Sequence, residues 1–197
     1  MKNKAKNNAE ESRKTEALLK VKDLSLSFIQ YTSGLRQTEL KVISNLSIEA
    51  YRGKILAVVG SSGSGKSLLA HAILGILPPN AILNGKIEYN GMQLTQEKKE
   101  EIRGGKEIAL VPQSVTYLDP LMRVSDQVIG CVEEEKAGLM KKLQREIFQR
   151  YGLKPDVERM FPPHELSGGM TRRVLVSTAV IGSAKLVIAD EPTPWIG

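Results

Sequence analysis

A single cysteine, Cys131, leaves this 197-residue chain unable to form an internal disulfide and suits a reducing compartment. Its plain reading is a small buried or half-buried side chain, not a reactive thiol. Aromatic residues are scarce too: one Trp, five Tyr and three Phe. No basic stripe with interleaved aromatics exists, so the net charge of +6 does not spell a nucleic-acid surface. The basic residues are mixed with acids, as in Glu97-Lys98-Lys99-Glu100-Glu101, which reads as a solvated face. The excess charge serves an anionic nucleotide or a membrane surface equally well. No apolar run reaches the roughly 18 residues of a membrane span. The best candidate, Leu68 to Leu77, is broken by His71 and Gly75. Met1 to Lys20 is polar and lacks the apolar segment of a secretory signal. The remaining composition, 41% hydrophobic and 25% charged, is that of an ordinary globular domain with ample length for a core.

Periodicity orders the chain. Residues 1–17, rich in Lys, Asn and Glu, are expected to be a disordered tail, with one domain over 18–197. Leu18 to Ile29 alternates apolar and polar residues, and Leu40 to Ala50 alternates again, which predicts two strands joined by a loop holding Ser33-Gly34. Arg52-Gly53 makes a turn. Ile55 to Val59 is continuously apolar, as expected of a strand buried on both faces. Ser67 to Leu77 reads as a helix ended by Pro78-Pro79. Gly85 to Tyr89 reads as a strand followed by the hairpin signal Asn90-Gly91. Ile108 to Val111 and Lys185 to Ala189 are two further buried strands, and Gly168 to Gly182 a second core helix. Between them, Glu133-Glu134-Glu135 and Lys141, Lys142 and Arg145, with apolar Leu139, Leu143, Ile147 and Phe148, predict amphipathic helices. These form a helical subdomain, about 114–165, inserted in an α/β core.

Two constellations carry chemistry. Gly60-Ser61-Ser62-Gly63-Ser64-Gly65-Lys66-Ser67 follows an apolar run and opens a helix, the context of a phosphate loop. Its glycines let backbone N–H groups curl around a phosphate, aided by the helix N-terminus. Lys66 can reach the terminal phosphates, and the Ser67 hydroxyl can bind Mg²⁺. Leu186-Val187-Ile188-Ala189-Asp190-Glu191 sets two carboxylates at the end of a strand. Asp190 is placed to hold the metal, and Glu191 to polarise an attacking water. Taken alone, such a pair is equally a couple of surface acids; downstream of a phosphate loop it gains a task.

Leu166-Ser167-Gly168-Gly169-Met170 resembles the signature motif of ATP-binding cassette (ABC) proteins, and Val111-Pro112-Gln113-Ser114 resembles their glutamine loop. The spacings fit: 47 residues from Lys66 to Gln113, 54 to Ser167 and 23 to Asp190. Tyr117-Leu118-Asp119-Pro120-Leu121-Met122, His164-Glu165 and Gly75-Ile76-Leu77-Pro78 resemble the oligopeptide, dipeptide and nickel importer subfamily, in which Met170 is a trait rather than a defect. The resemblance covers roughly residues 18–193. It implies a P-loop NTPase core of ABC type with an N-terminal antiparallel β region and a helical subdomain. ATP would be held by residues Gly60 to Leu68 and by an aromatic stacked on adenine, Phe28 with Tyr31 as the other choice. Ser167, Gly168 and Gly169 would face ATP in a second ABC ATPase subunit, identical or different. Mg²⁺ would be held by Ser67, Gln113 and Asp190, with Glu191 and Gln113 catalytic. Residues 114–165 would meet transmembrane permease subunits at the cytoplasmic face of the membrane, with an extracellular substrate-binding protein acting indirectly. His164 and His71 are structural on this reading.

The chain departs from that pattern after Thr193. The sequence Pro194-Trp195-Ile196-Gly197 stands where the family has a loop ending in Asp, then a further strand and a switch histidine. The C-terminal part of the core is thus expected to be missing, and the chain to be poorly stable, to dimerise badly and to hydrolyse ATP weakly. An importer ATPase subunit for peptides or nickel is the leading expectation. A soluble ABC-type ATPase acting on nucleic acid, or a non-catalytic truncated remnant, are the alternatives. The short stretch between Gln113 and Ser167 favours a transporter.

Overall fold

The computed structural model describes residues 16–31, 36–102, 107–130, 134–162 and 164–191. Expectations for the tail 1–15, Ser33-Gly34, Cys131, Glu133, Pro163 and the sequence after Glu191 lie outside these residues. The chain divides into two compact units, Met1–Glu101 and Ile102–Gly197.

The first unit is built on antiparallel strands. β1 (Ala17–Tyr31) pairs with β2 (Gln37–Tyr51) on one side and β3 (Ala81–Tyr89) on the other. With β4 (Met92–Gln93) the order is β2-β1-β3-β4. The buried residues of β1 change phase: Leu19 and Val21, then Leu24 and Leu26. A one-residue slip flips every later side chain to the other face unless a bulge absorbs it. The ladder shifts register between Val21 and Leu24, and Asp23 takes a φ of 50°. Serine hydroxyls satisfy the interrupted backbone: the Asp23 N–H donates to Ser47 Oγ at 2.9 Å, and the Asn45 N–H to Ser25 Oγ at 3.0 Å. The turn from β3 to β4 is the expected hairpin, with Asn90 at φ 52° and Gly91 at φ 77°. Positive φ at both central residues matches the right-handed strand twist.

Helix α1 (Lys66–Leu74) buries Leu69, Ala70, Ile73 and Leu74. It stops sooner than Pro78-Pro79 requires, because Gly75 at φ 68° ends it and the Ile76 N–H returns to His71 O at 3.0 Å. Side chains of α2 (Gln96–Ile102) cover the exposed carbonyls. Lys99 Nζ donates to Ala72 O at 2.9 Å and Gln96 Nε2 to Gly75 O at 3.0 Å. Burial holds the Lys99 pKa below its ordinary value.

In the second unit, β5 (Ile108–Val111) and β6 (Leu186–Ala189) run parallel, Ile108 opposite Leu186 through Val111 opposite Ala189. The helices are α3 (Val124–Ile129), α4 (Glu134–Arg150) and α5 (Gly168–Val180), with 3-10 turns at Val115–Tyr117 and Pro155–Arg159. One cluster holds Val124, Val128, Phe148, Val157 and Val174; a smaller one packs Ala109 and Val111 against Ala179.

Two strand expectations are corrected. Ile55 to Val59 forms no strand, with Ile55 100% and Val59 90% exposed. β6 is only half-buried, and Val187 stays exposed. The cause is common to both. An apolar strand is buried on two faces only inside a wider sheet, and among the described strands nothing pairs with Ile55 to Val59 and only β5 pairs with β6.

Gly85 sits across from the β1 bulge at φ +102°, and a Cβ there would lie 2.6 Å from Asp23 O and 2.7 Å from Lys22 O. These are backbone atoms that cannot yield separately. Gly85→Ala is expected to cost at least about 3 kcal/mol in urea unfolding. Gly53→Ala, at φ +67° in open space, costs only about 1 kcal/mol.

Candidate functional site

The loop Gly60 to Ser67 is shaped by what side chains cannot do. Gly65 precedes α1 at φ +90°, and a Cβ on it would lie 3.0 Å from Ile43 Cγ1 and 3.2 Å from Val42 Cγ1 of β2. Gly63 has φ +78°, and a Cβ on Gly60 would meet Ser64 Oγ at 2.7 Å. The Ser64 N–H closes the turn on Ser61 O at 3.2 Å. Ser61, Ser62 and Ser64 stay exposed, while Lys66, Ser67 and Leu68 are half-buried in the first turn of α1. That turn carries no acidic side chain, and its N–H groups have no partner within the helix. The result is an end that attracts anions. Lys66 curls back over the loop, its Nζ donating to Gly60 O at 2.9 Å and Ser61 O at 2.8 Å. An anion in the loop would meet a cation already folded above it.

A second group assembles where β5 and β6 end. Gln113 follows β5 and Glu191 follows β6. They are 78 positions apart in sequence, yet Gln113 Nε2 donates to Glu191 Oε2 at 2.5 Å. Parallel pairing brings them together, because Val111 and Ala189 are register partners and each lies two residues before its functional side chain. Asp190 is half-buried between, its N–H donating to Val111 O at 2.9 Å. The amide, the two carboxylates and, in the first unit, the Ser67 hydroxyl are all oxygen donors of the kind a hard cation takes.

Ser167, Gly168 and Gly169 open α5. Ser167 caps the helix by accepting the Met170 N–H at 3.3 Å, and a Cβ on Gly168 would meet nothing within 4 Å. Ser167 and Gly168 are exposed, so this N-terminus is open to an anion. Phe28 is half-buried in β1 across from Leu40 and Ala81, and Tyr31 is 68% exposed with its hydroxyl accepting from Gln37 Nε2 at 2.9 Å. His71 is half-buried within α1 and His164 is exposed.

Arg172 was not singled out from sequence. It is 1% exposed, and its guanidinium meets backbone carbonyls at both strand ends. The available signal was an arginine between Thr171 and Val174, on the buried side of an amphipathic helix. Arg173, its neighbour, turns the other way, donating to Tyr151 O at 3.0 Å and Gly152 O at 3.2 Å.

Comparison with known proteins gives the family and the fold. The family described as ABC transporter matches residues 43–194. A dipeptide transport ATP-binding protein of Lactococcus lactis subsp. cremoris is 35% identical over 188 residues, 90% of this chain and 52% of that protein. An oligopeptide transport ATP-binding protein of Bacillus subtilis is 36% identical over 185 residues, 89% of this chain and 50% of that protein. The chain thus spans about half the length of these curated relatives. Among solved structures, a dimeric ATP-binding cassette in a post-hydrolysis state, bound to ADP and phosphate, aligns with a TM-score of 0.71. It covers 89% of this chain and 75% of that one at 23% identity, a likeness of fold.

The Ser167 cap is testable by itself. Ser167→Ala removes the acceptor for the Met170 N–H and should lower stability by about 1 kcal/mol. Ser167→Asp keeps an acceptor and adds a favourable charge at the helix start, so it should restore the loss. Urea midpoints of the three proteins decide.

Proposed function

The chain belongs to the ABC transporter family, and from that premise we propose that it is the ATP-binding and hydrolysing part of a subunit that powers a peptide importer. The observation that carries this reading is the loop Gly60 to Ser67, pre-shaped around Lys66 at the start of α1. Peptide is the substrate class carried by the relatives' names.

The proposed roles combine the family resemblance with this geometry. We take the nucleotide-binding domain as 18–197, a span that contains the family match over 43–194, with a helical subdomain at about 114–165. Backbone N–H groups of residues 60–68 take the phosphates, and Lys66 exchanges its two loop carbonyls for phosphate oxygens, a stronger charge-assisted pairing. Phe28 takes the adenine. Glu191 accepts a proton from the attacking water, and Gln113, already bonded to that carboxylate, orients it. Asp190 and Gln113, just beyond β6 and β5, would offer oxygen donors to Mg²⁺, and on the first unit Ser67 would offer its hydroxyl. Among the described residues no group of three or more His, Cys, Asp or Glu could hold a metal, which suits an ion carried mainly by nucleotide phosphates. When bound, that ion neutralises charge on the phosphates.

Partners are assigned the same way. Ser167, Gly168 and Gly169 present an exposed helix N-terminus that serves the ATP of a second ABC ATPase subunit, as the dimeric cassette suggests. Transmembrane permease subunits meet the segment Tyr117 to Met122, where Tyr117 is 60% and Leu121 87% exposed. Gln127 fixes this segment, accepting the Asp119 N–H at 2.8 Å and donating to Met122 O at 2.7 Å. No described helix is long and apolar enough to cross a membrane. We place the chain at the membrane's cytoplasmic face, attached through such subunits, on the family resemblance.

Nucleotide binding and phosphate release test the reading. The chain should bind a fluorescent ATP analogue saturably, and Lys66→Ala should weaken binding by at least about tenfold. Glu191→Gln should leave binding within about twofold while cutting phosphate release about 100-fold. Absence of saturable binding, or release indifferent to Glu191, would overturn it.

A further inference from the structure

Arg172 is the bulkiest of the fully buried side chains. Its Nη1 donates to Pro112 O and, at 3.1 Å, to Gln113 O. Its Nη2 donates to Glu191 O at 3.0 Å and reaches Asp190 O at 3.5 Å. One planar cation thus spans the residues that follow β5 and those that follow β6. The strands themselves are only four residues long, and beyond them the Asp190 N–H to Val111 O bond continues the pairing. Past that bond the two backbones are tied by the guanidinium. Glu191 needs such a tie. It sits at φ 47°, a left-handed conformation that side-chain-bearing residues adopt only when surroundings impose it.

A buried guanidinium is a costly way to fill space. An apolar side chain of similar volume packs at least as well, and the buried residues around it on α5 include Val174, Leu175 and Ala179. Among the described residues Arg172 Nε has no hydrogen-bond partner, a further cost. What the arginine supplies and an apolar residue does not is a rigid fork of donors that fixes several carbonyls at set distances.

We propose that Arg172 is a positioning residue for the reaction. Anchored on α5, it locks the backbones of Gln113 and Glu191 so that their side chains meet, and so aims the Glu191 carboxylate. This rests on the reading of Glu191 as the base of an ATPase, so the experiment includes an arm that does not depend on catalysis.

That arm is amide hydrogen exchange on the full chain, wild type against Arg172→Met and Arg172→Lys. In Arg172→Met, exchange in peptides covering 108–114 and 186–191 should quicken by about tenfold or more, while α3 stays within about twofold. Arg172→Lys, with a compact ammonium in place of the fork, should fall between. Should Arg172→Met fail to fold, the lysine variant alone decides, by the same local increase in a protein with wild-type α3 protection. Unchanged strand ends, or α3 loosened equally, would overturn the proposal. The second arm is steady-state ATPase: kcat should fall about tenfold with KM within about threefold, and lysine should recover part of kcat. Wild-type kcat in Arg172→Met would overturn the positioning role. A wild-type chain without ATPase would sink the ATPase reading, while exchange still decides whether the clamp exists.

Discussion

Two parallel strands of four residues can dictate the course of a chain only as far as their ladder runs. In this protein the residues that matter lie just beyond it. Gln113 and Glu191 each stand two residues past the last register pair, where backbone pairing no longer decides direction. The buried guanidinium of Arg172 takes over at that point, offering donors to carbonyls on both sides. The cluster around Val124, Phe148 and Val174 holds α5 in its unit, and α5 holds the arginine. Apolar burial thus supplies the anchorage, and hydrogen bonds supply the direction. Neither substitutes for the other, since burial is non-directional and an unanchored guanidinium would be hydrated.

The phosphate loop solves a different problem by similar means. It must present N–H groups inward, which demands backbone conformations that side chains disfavour. Gly63 and Gly65 take them, and the approach of Val42 and Ile43 leaves Gly65 no room for a Cβ. Lys66 is held over the loop by two carbonyls. These neutral acceptors keep the ammonium in place without competing strongly against an arriving anion, because an anion adds the attraction of opposite charges to the hydrogen bond.

Much of this was legible in the sequence because it is local. The loop Gly60 to Ser67, the Asn90-Gly91 hairpin and the helix that starts at Gly168 are each set by a few consecutive residues whose conformational limits are known. That Gln113 and Glu191 serve one site was an expectation of the resemblance alone, and their hydrogen bond was not legible, since nothing near either residue announces the other. The fate of Ile55 to Val59 was not legible, because an apolar run becomes a strand through neighbours, and the run itself does not specify them. The early end of α1 was readable at Gly75, but Pro78-Pro79 offered a more conspicuous stop and Gly75 was passed over. Arg172 escaped for a physical reason. Charged residues on a helix are ordinarily solvated, and only the three-dimensional arrangement reveals four carbonyls waiting on the buried side.

Helix α5 therefore carries two proposed tasks on one rigid body. Its first turn, from Ser167, faces an ATP held by another subunit, and five residues later Arg172 holds the proposed base of its own. At 1.5 Å of rise per residue these points are about 7.5 Å apart along the axis. Helices kink at proline, at Gly/Ser pairs or at an inserted group; α5 contains no proline, its Ser167-Gly168-Gly169 start is its one glycine-bearing turn, and from Met170 through Arg172 to Val180 it runs without such a site. Any rotation that brings Ser167 toward a phosphate must then carry Arg172 with it, and the carbonyls of Gln113 and Glu191 follow or lose their donors. Engagement of the neighbouring nucleotide and alignment of the carboxylate are in that case one motion of one helix, and the buried cation is the part that makes them so.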